Sequence, residues 1–519
     1  MAQPAHRRRG SDRSPRPSGS HDAEVRSLRT QPGPRGSARL MSLPSSAAEE
    51  LRRIVGRESV IDAANDLRIF ERDGSIEGAV PDAVVLASTT EQVAEIIKVG
   101  ARHHVPVVPR GAGTGLSGGA VTIRGGIALQ VTRMRRIEID PVAQTALVEP
   151  GVVNQELSLV AATHGLFYAP DPSSQKACTI GGNAAENSGG PHCLYYGVTT
   201  NHVLGMEVVL ADGSVHWVSG DAPDRTGLDL CGVLVGSEGT LCAITKIKVR
   251  LLRIPPSVAT LLAAFPTIEA ASHAVSAVIA RGIVPAALEM MDRVTVGAVE
   301  AHYHAGYPTD AGAVLLVEVD GIAESTRELM AAVRQVLEEN QGYAMREAKT
   351  PAERDLLWAG RKGAIGALGR IKPNYYLHDG VVPRSKLPQV LSAVGEIGEH
   401  YKLPVANVFH AGDGNLHPNI LFDLRDREVL HQVEGAGEEM LRAVVEMGGA
   451  LSGEHGIGLE KASFMPWVYS PDDLDAMLRV KQALDPDGIL NPGKIFPDPS
   501  RRPIQLVGRT GLAVEAKWW

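Results

Sequence analysis

The sequence predicts an α+β protein of more than one domain, on three observations. Its 519 residues exceed what one hydrophobic core organises, so two or three domains are expected. Between residues 83 and 120 a strand, a helix and a second strand deliver a glycine-rich loop, and strands rather than a helix follow it. Between residues 255 and 405 strand and helix patterns alternate in a rhythm that suits an antiparallel sheet with helices on one face.

In chain order, residues 1–44 are rich in Arg, Ser, Pro and Gly and lack periodic apolar residues, which predicts a disordered extension. Met41, followed by Ser-Leu-Pro and then a helix-like pattern, is the expected native start of the protein. AVVLA at 83–87 reads as a strand, Thr89, Thr90 and Glu91 open an amphipathic helix to about His104, and Val105, Val107 and Val108 form the next strand. Further strands are expected at Ile127–Val131, Ile137–Asp140, Ala146–Val152 and, around the Asp212-Gly213 turn, at Val203–Leu210 and Val215–Val218. Ala169–Gly197 reads as one long functional loop of small and polar residues. GSEGT at 236–240 then leads into the strand pattern CAITKIKVRLL. Past 255 the strands are Leu261–Phe265, Leu288–Met291 and Val314–Asp320, with helices near 268–281, 323–339 and 356–370. The domain boundaries are 45–254 and 255–497, followed by a 498–519 tail.

The loop Pro109–Ala120, PRGAGTGLSGGA, places five glycines between Gly111 and Gly119. A strand that ends this way leaves backbone N–H groups free to converge on a pyrophosphate, and glycine allows both close approach and positive φ. Gly113, Gly115 and Gly118 even spell the GxGxxG fingerprint. The helix that fingerprint requires is replaced by strands, however, which favours a flavin site of another kind over a nicotinamide site. Thr179, Gly181, Gly182, Asn183, Asn187, Gly189 and Gly190 offer hydroxyls, amides and bare backbone to the same large polar ligand.

Composition narrows the partners. The first 40 residues hold nine arginines against Asp12, Asp22 and Glu24, a net +6, and the formal total of −8 leaves −14 on the rest. An acidic body with 4% aromatic residues excludes nucleic acid as the expected partner. Cys178, Cys193, Cys231 and Cys242 form no CxxC pair, so neither a cluster nor a disulfide framework is expected, and a reduced, cytoplasmic protein is. No apolar run reaches the ~20 residues that span a bilayer. The arginines Arg7, Arg8 and Arg9 precede no apolar region and make no export signal.

The chemistry concentrates late in the chain. In FHAGDGNLHPN, His410 and His417 flank a Gly-Asp-Gly turn that folds them toward one point. Glu454 and His455 sit between glycines in SGEHGIG, 37 residues further on. Two imidazoles and a carboxylate with an open position make a divalent cation site that admits substrate; zinc suits that donor set, and iron or manganese would also fit.

The motifs PRGAGTGLSGGA, TIGGNAAENSGG and GSEGTLCAIT, followed by GDGNLH, GEHGIG and NPGK, resemble those of the vanillyl-alcohol oxidase / p-cresol methylhydroxylase type of FAD-linked oxidases. The resemblance covers about residues 45–497 and points to the glycolate oxidase D subunit, D-lactate dehydrogenase and D-2-hydroxyglutarate dehydrogenase group. It implies a PCMH-type FAD-binding domain with two subdomains, then an α+β FAD-linked oxidase C-terminal domain with an antiparallel sheet. Cofactor contacts carried over fall on Pro109, Arg110, Gly111, Gly113, Thr114, Gly115, Leu116, Ser117, Gly118 and Gly119, and on Pro170, Thr179, Gly181, Gly182, Asn187, Gly189 and Gly190. They also fall on Glu238, Gly239, Thr240, Ile244 and, in a segment that returns to the flavin domain, Asn491. Some relatives bind FAD through a histidine in the glycine loop; none lies between Arg110 and Ala120, so FAD is expected to be non-covalent.

The same resemblance assigns His410, His417 and Glu454 as metal ligands, His455 as base, Arg361 as the grip on a substrate carboxylate and Asn419 as a substrate contact. It implies oxidation of a small 2-hydroxy acid, glycolate or D-lactate, with hydride passing to the flavin and electrons leaving to a non-nicotinamide acceptor. Ile365 stands where hydroxyglutarate-type relatives carry a hydroxyl residue, which counts against a dicarboxylate. Tyr375 and Tyr376 either line the pocket or pack. A partner oxidase or iron–sulfur subunit, a quinone or a cytochrome is the expected acceptor; membrane attachment would run through that partner, and a homo-oligomer is compatible with the sequence. Two competing readings are a non-catalytic flavin subunit of an oxidase and a metal-dependent hydrolase whose glycine loop binds a nucleotide.

Overall fold

Three sheets carry the fold in the computed structural model, which describes residues 43–220 and 227–498. The first is small, in the order 60–61, 83–86, 127–130, 107–110, and parallel except at its 60–61 edge. Its strands Ala83–Leu86, Ile127–Gln130 and Val107–Arg110 are joined on one side by the helix Thr90–His103, which Thr89 caps through the Gln92 N–H. Val93, Ile96 and Ile97 of that helix are fully buried beside Val85, Val107 and Leu129. This parallel unit aims the end of Val107–Arg110, and therefore the glycine loop, at the interior.

The second sheet is antiparallel in the order 137–140, 145–148, 243–250, 203–209, 215–218. Its inward residues Val148, Met206 and Ile247 pack on the helix Ile180–Glu186. Ala169–Gly197 is therefore not the single long loop expected: Thr179 caps that helix, and a helical turn follows at Cys193–Tyr196. Its small residues hid the periodicity.

The third sheet has seven antiparallel strands in the order 343–347, 257–265, 313–321, 287–292, 405–409, 418–422, 374–377. Helices cover both of its faces rather than one. Leu261, Ala263 and Phe265 pack toward the helices Ile268–Ala280 and Ala323–Glu339, while Leu262 and Ala264 pack toward Arg293–Tyr303 and Pro351–Lys362. Strands buried on both faces read as continuous apolar runs, as LLAAF at 261–265 does. The helix expected at 356–370 breaks at Gly363, where a Cβ would lie 1.8 Å from the Tyr303 hydroxyl, and resumes at Ala364–Leu368.

The C-terminal segment returns to the first sheet. The Val107 N–H donates to Ile489 O (2.8 Å), and the Asn491 N–H donates to Val107 O (2.9 Å). No helix among the described residues is long and apolar enough to cross a membrane. The disorder expected of residues 1–44 falls, except for Leu43 and Pro44, outside the described residues, as does the tail beyond Asp498.

Candidate active site

A cavity of about 370 Å³ is lined by the glycine loop, by the start of the 180–186 helix, by Glu238, Gly239 and Ile244, and on its far side by Arg361, Ile365, Val408, His410, His417, Glu454 and His455. One part of its wall is mostly glycine-rich backbone with Arg110, Glu186 and Glu238 beside it; the other is a cluster of ionisable side chains.

The backbone part is built from restraint. Arg110 does not reach into the cavity with its charge; its guanidinium donates to Ala120 O (3.1 Å) and Arg72 O (2.6 Å) and pins both ends of the loop. A Cβ on Gly111 would fall 2.4 Å from Thr179 Oγ1, and one on Gly113, at φ +70°, would fall 2.4 Å from Arg110 Nη2. Only glycine leaves that space and tolerates that φ. Asn491 clamps two loops together, its Nδ2 donating to Gly119 O (2.8 Å) and Glu238 O (2.6 Å).

Of the expected cofactor contacts, Pro109, Arg110, Gly111, Gly113, Thr114, Gly115, Leu116, Gly119, Thr179, Gly181, Gly182, Glu238, Gly239 and Ile244 line this cavity. Ser117, Gly118, Pro170, Asn187, Gly189, Gly190, Thr240 and Asn491 stand behind it. Ser117 O accepts the Leu459 N–H, Pro170 O accepts from Asn154, Asn187 Oδ1 accepts the Thr200 N–H, and Thr240 donates to Ser237 O. A Cβ on Gly118 would press on Glu77 and Leu459, one on Gly189 on Glu454, and one on Gly190 on the Asp171 backbone, so these three glycines serve close packing.

The side-chain part centres on Glu454. Its Oε1 lies 3.0 Å from His410 Nε2, 3.4 Å from His417 Nε2 and 3.9 Å from His455 Nε2. Burial raises the Glu454 carboxyl, but His410 and the other two imidazoles outweigh it and hold it at about 2. His410 Nδ1 meets a second carboxylate, the fully buried Glu289, at 2.9 Å. Burial alone would lower the His410 pKa; the two flanking carboxylates raise it well above the ordinary histidine value. An imidazole with a carboxylate on each nitrogen needs either a second proton or a cation at one of them. His417 Nε2 is buried with no hydrogen-bond partner, and the donor atoms of His410, His417 and Glu454 lie within 4.8 Å of one another. This donor set fits a divalent cation.

Asp379, which sequence reasoning missed, holds the loop that presents Glu454 and His455. Fully buried, it accepts the N–H groups of Gly453 (3.1 Å), Glu454 (3.2 Å) and His455 (2.8 Å), the Ser452 hydroxyl (2.7 Å) and Lys461 Nζ (3.1 Å). A carboxylate so fully occupied orients ligands rather than being one, although with His417 and His455 it forms a second candidate triad. His455 stacks on His417 at 4.8 Å, with Nδ1 3.9 Å from Asp379 Oδ2. Burial lowers its pKa to about 4 and leaves it neutral near pH 7.

Arg361 is buried in the cavity wall, in an ion pair with Glu289 Oε2 at 2.5 Å, and its Nε has no partner. Asn419 does not reach the cavity: its Nδ2 donates to Ala406 O (3.2 Å) and His417 O (2.8 Å), so it braces the strand behind His417. Tyr376 packs in the core with Val394 and Phe422 and, like Tyr375, does not line the cavity.

A further network joins the 169–197 segment to the helix that carries Arg361. His192 bridges Asp171 (3.0 Å) and Glu318 (3.2 Å), Lys362 pairs with Asp171 (2.9 Å), and Trp358 donates to Glu318 (2.7 Å). Burial lowers the His192 pKa, but Asp171 and Glu318 together lift it to about 10.

A glycine-rich loop and a cluster of ionisable side chains share one cavity, and comparison with known proteins makes this the site of a flavin-dependent oxidoreductase. The model of the FAD binding domain matches residues 81–219, and that of the FAD linked oxidases, C-terminal domain, matches residues 254–495. The chain belongs to the FAD-linked oxidases and binds FAD. It is 46% identical over 455 residues, 87% of its own length and 91% of the relative's, to the glycolate oxidase subunit GlcD of Escherichia coli. It is 34% identical to the D-lactate dehydrogenase of Anaerostipes hadrus, over 80% of this chain and 90% of that one. The solved structure of p-cresol methylhydroxylase shares the fold, with a TM-score of 0.74 at 18% identity over 88% of this chain and 97% of that one.

Proposed function

We propose that the enzyme oxidises a small 2-hydroxy acid, D-lactate or glycolate, to the 2-keto acid, using non-covalent FAD and a divalent cation, zinc, held by His410, His417 and Glu454. The observation that carries this reading is the single cavity shared by the glycine cradle, the imidazole–carboxylate cluster and Arg361. The relatives, a glycolate oxidase subunit and a D-lactate dehydrogenase, support the substrate class. When bound, FAD accepts the C2 hydride and the cation lowers the pKa of the substrate hydroxyl.

The chain's own groups do the rest. Arg361 grips the substrate carboxylate with the part of its guanidinium that Glu289 leaves free, which fixes the face of C2 that is presented. His455, neutral and buried, receives the hydroxyl proton at Nε2, while Asp379 beside Nδ1 steadies the imidazolium that forms. Ile365 and Val408 close the wall and exclude water. The substrate is a monocarboxylate because the second arginine of the wall, Arg110, turns its guanidinium to the Ala120 and Arg72 carbonyls. D-2-hydroxyglutarate, which needs a second cation, is the weaker alternative.

Electrons leave to a non-nicotinamide acceptor, either a partner oxidase or iron–sulfur subunit or a quinone or cytochrome. The word "subunit" in the name of the E. coli relative supports a partner protein. The reading places the enzyme in the cytoplasm, with membrane contact only through that partner. Steady-state assays with an artificial acceptor test the proposal. D-lactate or glycolate should be oxidised, L-lactate at least about 100-fold more slowly, with activity lost to a chelator and restored by zinc. A yellow protein that oxidises no 2-hydroxy acid would overturn the reading in favour of a non-catalytic flavin subunit.

A further inference from the structure

Glu289 is the one charged residue in the middle of an apolar strand, Ala287–Asp292 (ALEMMD). Leu288 and Met290 turn to one face of the seven-stranded sheet, while Ala287 and Met291 turn to the face covered by the helix that carries Arg361. Glu289 shares that second face. The neighbouring strand Val405–Phe409 pairs Met290 with Phe409 and Met291 with Val408, and one further step of that register sets Glu289 beside His410. Its side chain is fully buried, with Oε1 and Oε2 each 2.9 Å from His410 Nδ1 and Oε2 also 2.5 Å from Arg361 Nη2.

We propose that Glu289 is a positioning residue that ties the acid-binding Arg361 to the cation-binding His410, so that one buried carboxylate sets both halves of the substrate site. The inference rests on the function proposed above. Stability does not require this arrangement, because a buried ionic triad is commonly no better than an apolar one of the same shape. The geometry instead does two jobs. By accepting the proton of His410 Nδ1, Glu289 fixes the tautomer and leaves Nε2 free to face Glu454 and a cation. By holding Arg361 Nη2, it sets the plane of the guanidinium and so the edge that meets the substrate acid. The distance between bound carboxylate and bound hydroxyl oxygen is then fixed by one side chain.

The test is E289Q in the full-length, FAD-loaded protein, read by zinc affinity in a chelator competition and by the split of KM from kcat at saturating zinc. Glutamine keeps the shape but loses the charge that holds both partners. Zinc affinity should fall about 10- to 100-fold, KM for the acid should rise about tenfold, and FAD content should stay at the parent value. E289D, which keeps the charge on a shorter arm, should retain zinc better than E289Q and guards against a folding failure of the first variant. Zinc affinity and KM both within twofold of the parent in E289Q would overturn the inference. So would failure of both variants to fold, which would make Glu289 a structural residue. A parent protein that binds zinc but oxidises no 2-hydroxy acid would contradict the proposed function alone, leaving the zinc comparison to decide on Glu289. A parent that binds neither zinc nor a 2-hydroxy acid would overturn both.

Discussion

The two sides of the cavity are made of different material. The proposed cofactor side is largely backbone opened by glycines, held by Arg110 and Asn491, with Glu186 and Glu238 as the carboxylates in its wall; the proposed reaction side is ionisable side chains, held in place by Asp379 and Glu289. A site made mainly of close-packed backbone fails sterically, and its ligand is then lost. A side-chain site depends on charge balance, so its failure is electrostatic and its ligand stays while the chemistry stops. On the proposed function, cofactor retention and turnover should be separable properties of this chain.

The largest effect expected from separating them comes from His455→Ala. It should lower kcat by about 10²- to 10⁴-fold with FAD content unchanged, measured by stopped-flow reduction and the flavin absorption band. Asp379→Asn comes next, because it leaves Lys461 buried beside a neutral amide. Urea unfolding should show a loss of about 3–5 kcal/mol, and zinc affinity should fall with it.

Gly111→Ala attacks the other side. Its Cβ meets Thr179 Oγ1, and overpacking of about 1–3 kcal/mol should weaken FAD binding by about 10- to 100-fold in equilibrium titrations. Adding Thr179→Ala should recover part of that affinity, because it removes the atom that is struck.

The smallest effect is His192→Gln, outside both halves. The folded-state pKa of His192 is about 10, above its unfolded value near 6.5. Its contribution to stability is therefore fully present below about pH 6.5 and fades as pH rises toward 10. The parent should melt about 3 °C above His192→Gln at pH 6 and within about 1 °C of it at pH 10, by differential scanning calorimetry.

What the sequence made legible follows the same division. A glycine cluster after a β-branched strand and a pair of histidines around Gly-Asp-Gly are local patterns, and their chemistry is written in adjacent letters. The braces are not local. Asp379 stands in YYLHDG and meets a loop more than seventy residues away, while Glu289 stands in an apolar strand and meets residues 361 and 410. A lone charge inside a buried strand was the available signal for Glu289, since such a charge must have a partner. Asp379 offered less, because an Asp-Gly pair reads first as a turn. Helices on both faces of the large sheet were missed because period-2 alternation is absent from LLAAF, and a continuous apolar run does not say which faces are covered. Asn419 was placed on the substrate by resemblance, whereas its hydrogen bonds turn it to the Ala406 and His417 carbonyls.

The most direct test of the central claim, that cradle and cluster are two separable parts of one active site, is anaerobic reduction of bound flavin by D-lactate and glycolate in the parent and in His410→Ala. The parent should bleach, and His410→Ala should stay yellow with a full complement of FAD and bleach at least about 100-fold more slowly. A His410→Ala protein that bleaches at the parent rate, or that loses its FAD along with its activity, would contradict the account.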